Sequence, residues 1–151
     1  MSIVVAILLS LGFATPQAVT QPAQKRVHAL AIHRAETQSH PDLEAIQASY
    51  GQVFWMHHEP DLEDHDVQKV EFVKDSAGVP AIKLTFTPEG TARFRRLTRE
   101  HLNRRLIFLV QGRFVMDPVV TEEATSDFTL ITGHVTKADA KALRAAIKKQ
   151  H

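Results

Sequence analysis

Apolar and polar side chains alternate with a period of two along much of this chain. In RVHALAIHRAE, for example, Leu30 and Ile32 fall on one face of an extended strand, and Ala31 and His33 fall on the other. Alternation or a β-rich composition recurs in GQVFWMHH, VQKVEFVKD, PAIKLTFT, RLIFLVQGRFVM and FTLITGHV. These stretches predict a series of strands, with tight turns at the glycines of SAGV and QG.

One internal stretch has the three-to-four-residue spacing of a helix. In TPEGTARFRRLTREHLN, Phe94 and Leu97 recur on one helical face. Thr87 is a suitable N-cap, and Pro88 takes the first helical position, where its missing N–H costs no hydrogen bond. Asn103 can adopt the left-handed conformation that ends a helix. We therefore predict a helix that begins after Thr87 and ends before Asn103.

A second helix is predicted near the end of the chain, in TKADAKALRAAIKKQ. Thr136 and Asp139 form a capping-box-like pair there, and Leu143 lies on the face that we expect to be buried. SHPDLEAIQ is predicted to be a turn or a short helix, which Ser39 or Asp42 could cap. The order of these elements predicts an α+β fold, in which two helices pack on one face of a mostly antiparallel sheet.

The amino-terminal region differs from the rest because its first charged side chain is Lys25. The apolar run before it is about a dozen residues long, which suits a signal peptide and is short for a membrane span. We expect residues 1–14 to be a signal peptide, residues 15–24 a flexible lead-in, and residues 25–151 a single domain. The alternatives are an uncleaved anchor and a buried strand or helix. Export to a periplasmic or other extracytoplasmic compartment follows from a signal peptide or an anchor.

The composition argues against several classes of function. The 151 residues include no cysteine, which excludes disulfides, cysteine nucleophiles and thiolate metal sites. The formal net charge of +1 gives no electrostatic case for nucleic acid binding. No Walker or GxGxxG pattern is present, and no GxSxG elbow accompanies Ser39, His40 and Asp42 as a catalytic triad. We therefore predict no enzymatic activity and no cofactor.

The stretch WMHHEPDLEDHD is the richest in chemically active side chains. His57, His58 and His65, with Glu59 or Asp61, supply imidazole and carboxylate ligands that suit zinc, nickel or copper. Against a metal site, the adjacent His57 and His58 point to opposite faces of a strand. We expect a connector between strands, in which His57 and Glu59 matter for shape, and we retain a divalent-metal site as the alternative.

Two further features could contact a partner, although each also has a structural explanation. Trp55, Met56, Phe108 and Phe114 could line an apolar groove for an extended polypeptide, or could pack in the core. The arginine-rich residues 93–105 could form a solvated helix face, or could contact acidic partner segments or lipid headgroups.

The succession of motifs resembles one known family. GVPAIKLTFTPEG is followed by FRRLT, by the strand RLIFLV, by the hairpin QGRFV, by a proline and by LITGHVTKADA. This order is similar to that of the head subdomain of the first extracytoplasmic domain of SecD and SecDF, which are membrane proteins that assist protein export. HHEPDLEDHDV is also similar to a pattern in standalone relatives of that head. The resemblance covers residues 55–148.

The resemblance has departures that limit what it implies. Asn103 and Gln111 stand where the family usually has glycine and aspartate. No stretch after residue 24 is long and apolar enough to be one of the family's transmembrane helices. The resemblance implies an exported, non-enzymatic head domain that engages unfolded or extended polypeptide, or an envelope membrane protein, in protein export. The alternative is a divalent-metal-binding envelope protein that uses His57, His58 and His65.

Overall fold

The computed structural model describes residues 27–150, which form two antiparallel β-sheets and two α-helices. The prediction of an α+β fold is confirmed. The predicted signal peptide, residues 1–14, and the predicted lead-in, residues 15–24, lie outside the described residues. The elements follow one another as β1 (Leu30–Glu36), β2 (Leu43–Gln47), β3 (Val53–His57), β4 (Leu62–Glu63), β5 (Val67–Lys74), β6 (Pro80–Phe86), α1 (Pro88–Glu100), β7 (Arg105–Val110), β8 (Arg113–Met116), β9 (Phe128–Ile131) and α2 (Lys137–Lys148).

The strands divide between a large sheet and a small sheet. The large sheet has the order β2-β3-β1-β7-β8, with β4 paired to β1, and it curls like half of a barrel. The small sheet has the order β5-β6-β9. The predicted turn between β7 and β8 consists of Gln111 and Gly112, with positive φ angles of 54° and 72°. Two successive positive φ angles match the twist of an antiparallel hairpin.

The main core lies between the outer face of the large sheet, the small sheet and the two helices. Phe86 of β6 and Phe94 of α1 stack at its centre, with 4.8 Å between their ring centroids. Both helices contribute their predicted apolar faces to this core. Its other fully buried side chains include Leu30, Ile32, Leu62, Ile82, Leu84, Leu106, Phe108, Ile131 and Leu143.

The predicted helix termini are formed by local hydrogen bonds. The Thr87 hydroxyl accepts a hydrogen bond from the backbone N–H of Gly90 at 3.0 Å, and Pro88 is the first residue of α1. Thr136 and Asp139 form a complete capping box at the start of α2. Asn103 has a φ of 63°, in the left-handed region, as we predicted for the end of α1. These interactions depend only on neighbouring residues, which explains why the sequence predicts them.

The prediction for SHPDLEAIQ is only partly correct: Pro41 and Asp42 form a turn, but residues 43–47 form a strand rather than a short helix. Ser39 and Asp42 therefore cap no helix. β2 pairs with β3 along its whole length, from Leu43 opposite His57 to Gln47 opposite Val53. Pairing with a strand that comes later in the sequence outweighs the local preference of a short polar stretch.

Candidate functional site

The large sheet has small side chains on the inner face of its central strand. Ala31, His33 and Ala35 of β1 alternate with Leu30 and Ile32, which face the main core. Ile107 and Leu109 of β7 share the inner face with the alanines. Because alanine fills little volume, the curl of the sheet is only partly occupied by its own side chains.

One end of this inner face is closed by a second, smaller apolar core. Phe54 and Met56 of β3 cover Ala35 and Ile107 there. The Tyr50 hydroxyl, in the loop after β2, donates a hydrogen bond to the Asp117 carboxylate, which follows β8. This hydrogen bond joins the two ends of the curled sheet, so the curl is held by contacts at both of its outer strands.

The other end of the inner face is an open cavity of about 610 Å³. This volume lies within the range of roughly 300–1,000 Å³ that is typical of ligand pockets. The floor is apolar and consists of Ala31, Ile46, Met56 and Leu109. The rim is mostly polar, with His28, His33, Glu44, His58, Glu59 and Glu63, and it is completed by Val27, Pro60 and Gly112.

The rim is dominated by carboxylates and imidazoles. The His28 Nδ1 atom lies 2.6 Å from a Glu63 carboxylate oxygen, and the His58 Nδ1 atom lies 3.6 Å from a Glu44 carboxylate oxygen. The buried His33 ring has its Nδ1 atom 2.8 Å from the carbonyl oxygen of His57. A histidine offsets a carboxylate only when it is protonated. With neutral imidazoles, the rim carries net negative charge.

An edge strand lies directly beside the cavity. In residues 27–150, β2 pairs with β3 on one side, and no strand pairs with its other side. The edge strand β5 of the small sheet differs, because α2 packs against it and Arg144 donates a hydrogen bond to the Val70 carbonyl oxygen at 2.8 Å. An uncovered edge strand offers backbone N–H and C=O groups to another extended chain. The β2 edge and the cavity therefore form one continuous candidate binding surface.

The three histidines of the metal hypothesis are not brought together. The His57 Nε2 atom lies 3.6 Å from Glu36, and the His65 Nδ1 atom lies 3.3 Å from Glu63, whereas His58 faces Glu44. No group of three or more histidine, cysteine, aspartate or glutamate residues in the described part of the chain is arranged to hold a metal ion. The alternative that used His57, His58 and His65 therefore has no geometric support there.

The two carboxylates proposed as metal ligands, Asp61 and Glu59, also lie apart from a common site. Asp61 pairs with Arg34, with 2.9 Å between Nε and the carboxylate oxygen. Glu59 lies on the cavity rim. Strand alternation, and the interruption of regular strand structure between β3 and β4 around Pro60, send these side chains in different directions.

The second half of WMHHEPDLEDHD connects the two sheets through buried carboxylates. Asp64 lies in a single 3-10 turn, Asp64–Asp66, between β4 and β5, and accepts hydrogen bonds from the backbone N–H groups of Ala29 and Leu30 at 3.1 and 2.5 Å. Asp66 is 1% exposed and accepts a hydrogen bond from the Arg93 guanidinium of α1 at 3.3 Å. These carboxylates fix β1 and α1 to the junction between the sheets, which is the structural role of a connector.

The aromatic groove that the sequence suggested is not formed by its four proposed residues. Met56 lines the cavity, and Phe114 packs beside the smaller core. Phe108 is buried in the main core, and Trp55 points away from its neighbours in β3 that line the inner face. The cavity residues Ala31, Glu44 and Ile46 were not predicted. The alternation of alanine with large residues in β1 could have indicated Ala31, but the sequence has no comparable signal for Glu44 and Ile46.

The arginines of α1 are mostly used within the fold. Arg95 donates hydrogen bonds to the carbonyl oxygens of Ala124 and Thr125, both at 3.3 Å. Arg99 lies 3.9 Å from Glu123, and Arg93 contacts Asp66. These contacts attach α1 to the segment before β9 and to the sheet junction. Contacts within the domain thus account for many of the arginines at residues 93–105.

Comparison with known proteins identifies relatives in protein translocation. The chain is similar to protein translocase subunit SecDF of Thermus thermophilus, with 30% identity over 89 residues, 59% of this chain and 12% of that protein. It is also similar to protein translocase subunit SecD of Dictyoglomus turgidum, with 29% identity over 80 residues, 53% of this chain and 20% of that protein. The chain therefore spans no more than a fifth of the length of these relatives.

Two solved structures share the fold. SecDF in its super-membrane-facing form has a TM-score of 0.63 and 21% identity, over 82% of this chain and 19% of that chain. A structure of SecDF, described as a membrane component that enhances protein export, has a TM-score of 0.61 and 22% identity, over 82% of this chain and 63% of that chain. No helix within residues 27–150 has the length and apolar character needed to span a membrane.

The family comparison covers most of the architecture described above. The family model for the SecDF P1 head subdomain matches residues 38–150, which is more than half of the chain. The matched region runs from β2 to α2 and includes the β2 edge, much of the cavity and the junction at Asp64 and Asp66. The chain belongs to the SecDF P1 head subdomain family.

Proposed function

We propose that this chain is an exported, non-enzymatic domain that binds extended polypeptide, or an extended segment of an envelope protein, during protein export. The observation that carries the proposal is the uncovered edge of β2 beside a cavity with an apolar floor. An extended chain that adds to this edge would form backbone hydrogen bonds with β2 and would direct alternate side chains into the cavity.

Strand addition suits a domain that must accept many sequences. Backbone hydrogen bonds do not depend on side-chain identity, so they supply affinity that is shared by different polypeptides. The cavity floor adds a preference for apolar side chains, because apolar surface is removed from water when they enter. The relatives named above are protein translocase subunits, and one is described as enhancing protein export. These descriptions support polypeptide as the binding partner.

Export of this chain is part of the proposal and has its own test. The expected signal peptide, residues 1–14, would direct the chain to the cell envelope, and cleavage would leave a form that begins near residue 15. Fractionation of cells, with mass spectrometry of the protein recovered from each fraction, measures both its location and its amino terminus. A chain found only in the cytoplasmic fraction would contradict export.

Binding is tested with the form of the protein that cells accumulate. Fluorescence anisotropy with labelled, unfolded secretory proteins should show saturable binding, which the same proteins in their folded state should not show. Ala31→Leu places a larger side chain in the cavity floor and should weaken binding. Ala145→Leu makes the same change at an exposed position of α2 and should leave binding unchanged. Absence of measurable affinity for several unfolded proteins would overturn the proposed polypeptide binding.

A further inference from the structure

The edge strand β2 presents one charged and one apolar side chain to the cavity. Glu44 and Ile46 are two residues apart, and both line the cavity. Ile46 also packs against the smaller core, whereas the Glu44 carboxylate lies 3.6 Å from the His58 ring on the rim. The intervening Ala45 points to the other face of the strand and is exposed. The inward surface of β2 is therefore a pair of unlike side chains at a fixed spacing.

A chain that pairs with β2 would have to match this pair. Between antiparallel strands, directly opposed side chains have Cβ atoms about 4.5–5.5 Å apart, and opposite charges or apolar pairs stabilise such positions. A side chain opposite Glu44 therefore lies next to a carboxylate, and one opposite Ile46 lies next to apolar surface. Like charges directly opposed are destabilising. The best match is a lysine or arginine at the first position and an apolar residue at the second.

The rest of the cavity reinforces a preference for positive charge. Glu59 and Glu63 add carboxylates to the same rim. Among the described residues that line the cavity, none is lysine or arginine. The histidines of the rim offset these carboxylates only when they are protonated. When the imidazoles are neutral, the surface that an incoming segment meets is complementary to a cation and unfavourable for an acidic side chain.

We propose that β2 selects extended segments in which a lysine or arginine and an apolar residue are two positions apart. The inference rests on the proposed polypeptide binding and adds to it a rule for which segments are bound. The spacing of two follows from strand geometry and holds for parallel and antiparallel addition alike, since both keep alternate side chains on one face. Only the order of the two residues along the segment differs between the two orientations.

Labelled peptides of equal length test the rule. The first peptide has a threonine-rich background and contains both Lys-Thr-Val and the reverse order Val-Thr-Lys, so that it can match β2 in either orientation. The second peptide has glutamate in place of each lysine. The third peptide has lysine and valine next to each other. We expect the first peptide to bind about fivefold more tightly than the second, which corresponds to favourable against unfavourable cross-strand charge pairing. The third should be weaker than the first, because its lysine and valine point to opposite faces.

Charge reversal in the protein provides the sharper measurement. Glu44→Lys should invert the preference, so that the glutamate peptide binds more tightly than the lysine peptide. Gln47→Lys also adds positive charge to β2, but at an exposed position that does not line the cavity, and should keep the original order. Glu44→Gln is a milder change that should reduce the difference between the two peptides. Thermal denaturation of each variant checks that it is folded.

The possible outcomes separate the two proposals. The selection rule would be overturned if the wild-type protein and the Glu44→Lys and Glu44→Gln variants all bound the three peptides with equal affinity. That result would leave the proposed polypeptide binding intact. Failure of the wild-type protein to bind either the peptides or unfolded secretory proteins would overturn both. If Glu44→Lys inverts the order of affinities for the lysine and glutamate peptides, and Gln47→Lys leaves that order unchanged, then Glu44 determines which charge the bound segment carries.

Discussion

The two faces of the large sheet bury apolar residues in different ways. On the outer face, Leu30, Ile32 and Phe108 are almost completely buried under the small sheet and both helices. On the inner face, Ala31 and Ala35 are covered only by the curl of the same sheet, and one end remains an open cavity. The same strands supply both faces, so side-chain size at alternate positions decides which face closes. The outer face therefore forms the closed core, whereas the inner face supplies the open cavity on which the proposed binding rests.

The largest expected difference between the two faces is in the loss of stability when a large buried side chain is truncated. Phe86→Ala removes the ring that stacks on Phe94 in the main core and should lower the free energy of unfolding by about 4–5 kcal/mol. Phe54→Ala, in the smaller core, should cost about 3 kcal/mol, because several of the buried residues of that core are alanines and fewer large side chains surround the ring. Urea denaturation measures both values. Equal losses would contradict the difference that we draw between the two cores.

A glycine in α1 shows how tightly the outer face is packed. A Cβ atom at residue 90 would lie 2.2 Å from the Asp66 carbonyl oxygen, which belongs to backbone and cannot rotate away. Alanine normally stabilises a helix interior by about 1 kcal/mol relative to glycine. Gly90→Ala should instead destabilise the protein by about 1–3 kcal/mol. Thr91→Ala is the control in the same helical turn, and a stable Gly90→Ala protein would show that this contact can relax.

Added volume should be tolerated on the inner face and not in the main core. Ala31 lines the open cavity, whereas Ala81 is 0% exposed within β6. Ala81→Leu should cost about 1–3 kcal/mol through overpacking. Ala31→Leu should change stability by less than about 1 kcal/mol, since its side chain enters existing space. Thermal denaturation compares the two, and a large loss in Ala31→Leu would mean that the cavity is smaller or more rigid than described.

The smallest expected effect is a pH dependence of folding stability that comes from His101, on the outer side of the large sheet. Burial lowers the pKa of His101, at the end of α1, below its ordinary value of 6.5, and the positive charge of Arg34 acts in the same direction. The hydrogen bond between the His101 ring and the Leu97 carbonyl oxygen opposes this shift. The unfolded chain therefore binds the proton first, and folding stability falls as the pH drops from about 6.5 through the pKa of the folded state.

His101→Phe should remove this part of the pH dependence. Above pH 7 the imidazole is neutral in both states, so the contribution of its titration vanishes there. Urea denaturation of wild type and variant between pH 7.5 and about pH 5 measures the difference, and the remaining histidines cancel in the comparison. If the free energies of unfolding of wild type and variant changed in parallel over this pH range, a lowered pKa of His101 would be contradicted.

Several parts of the fold are predictable because their causes are local. The hairpin at Gln111 and Gly112, the Thr87 N-cap and the Thr136 capping box each depend on residues within four positions of one another. The strand β2 was not predictable in this way. Its extended conformation depends on pairing with β3, and its polar stretch has no strong alternation of its own.

The candidate site was less predictable than the fold. WMHHEPDLEDHD is predicted from the sequence to be a connector between strands, with a metal site as the alternative, and Phe108 and Trp55 are predicted either to pack in the core or to line a groove. The structure assigns Asp64 and Asp66 to the junction between the sheets and places only part of the stretch on the cavity rim. Which side chains converge depends on strand register and curl, and neither is encoded within one short segment.

The sequence by itself therefore determined the α+β class, most strands, both helices and their caps, because propensity, periodicity and capping act over a few residues. It also carried the succession of motifs that indicated the SecDF P1 head family. Only the tertiary structure decided that the strands form two sheets, that the larger one curls, and that Ala31, Glu44 and Ile46 meet around an open cavity. The physical reason is that pairing between distant strands and the packing of alternate faces are properties of the assembled chain.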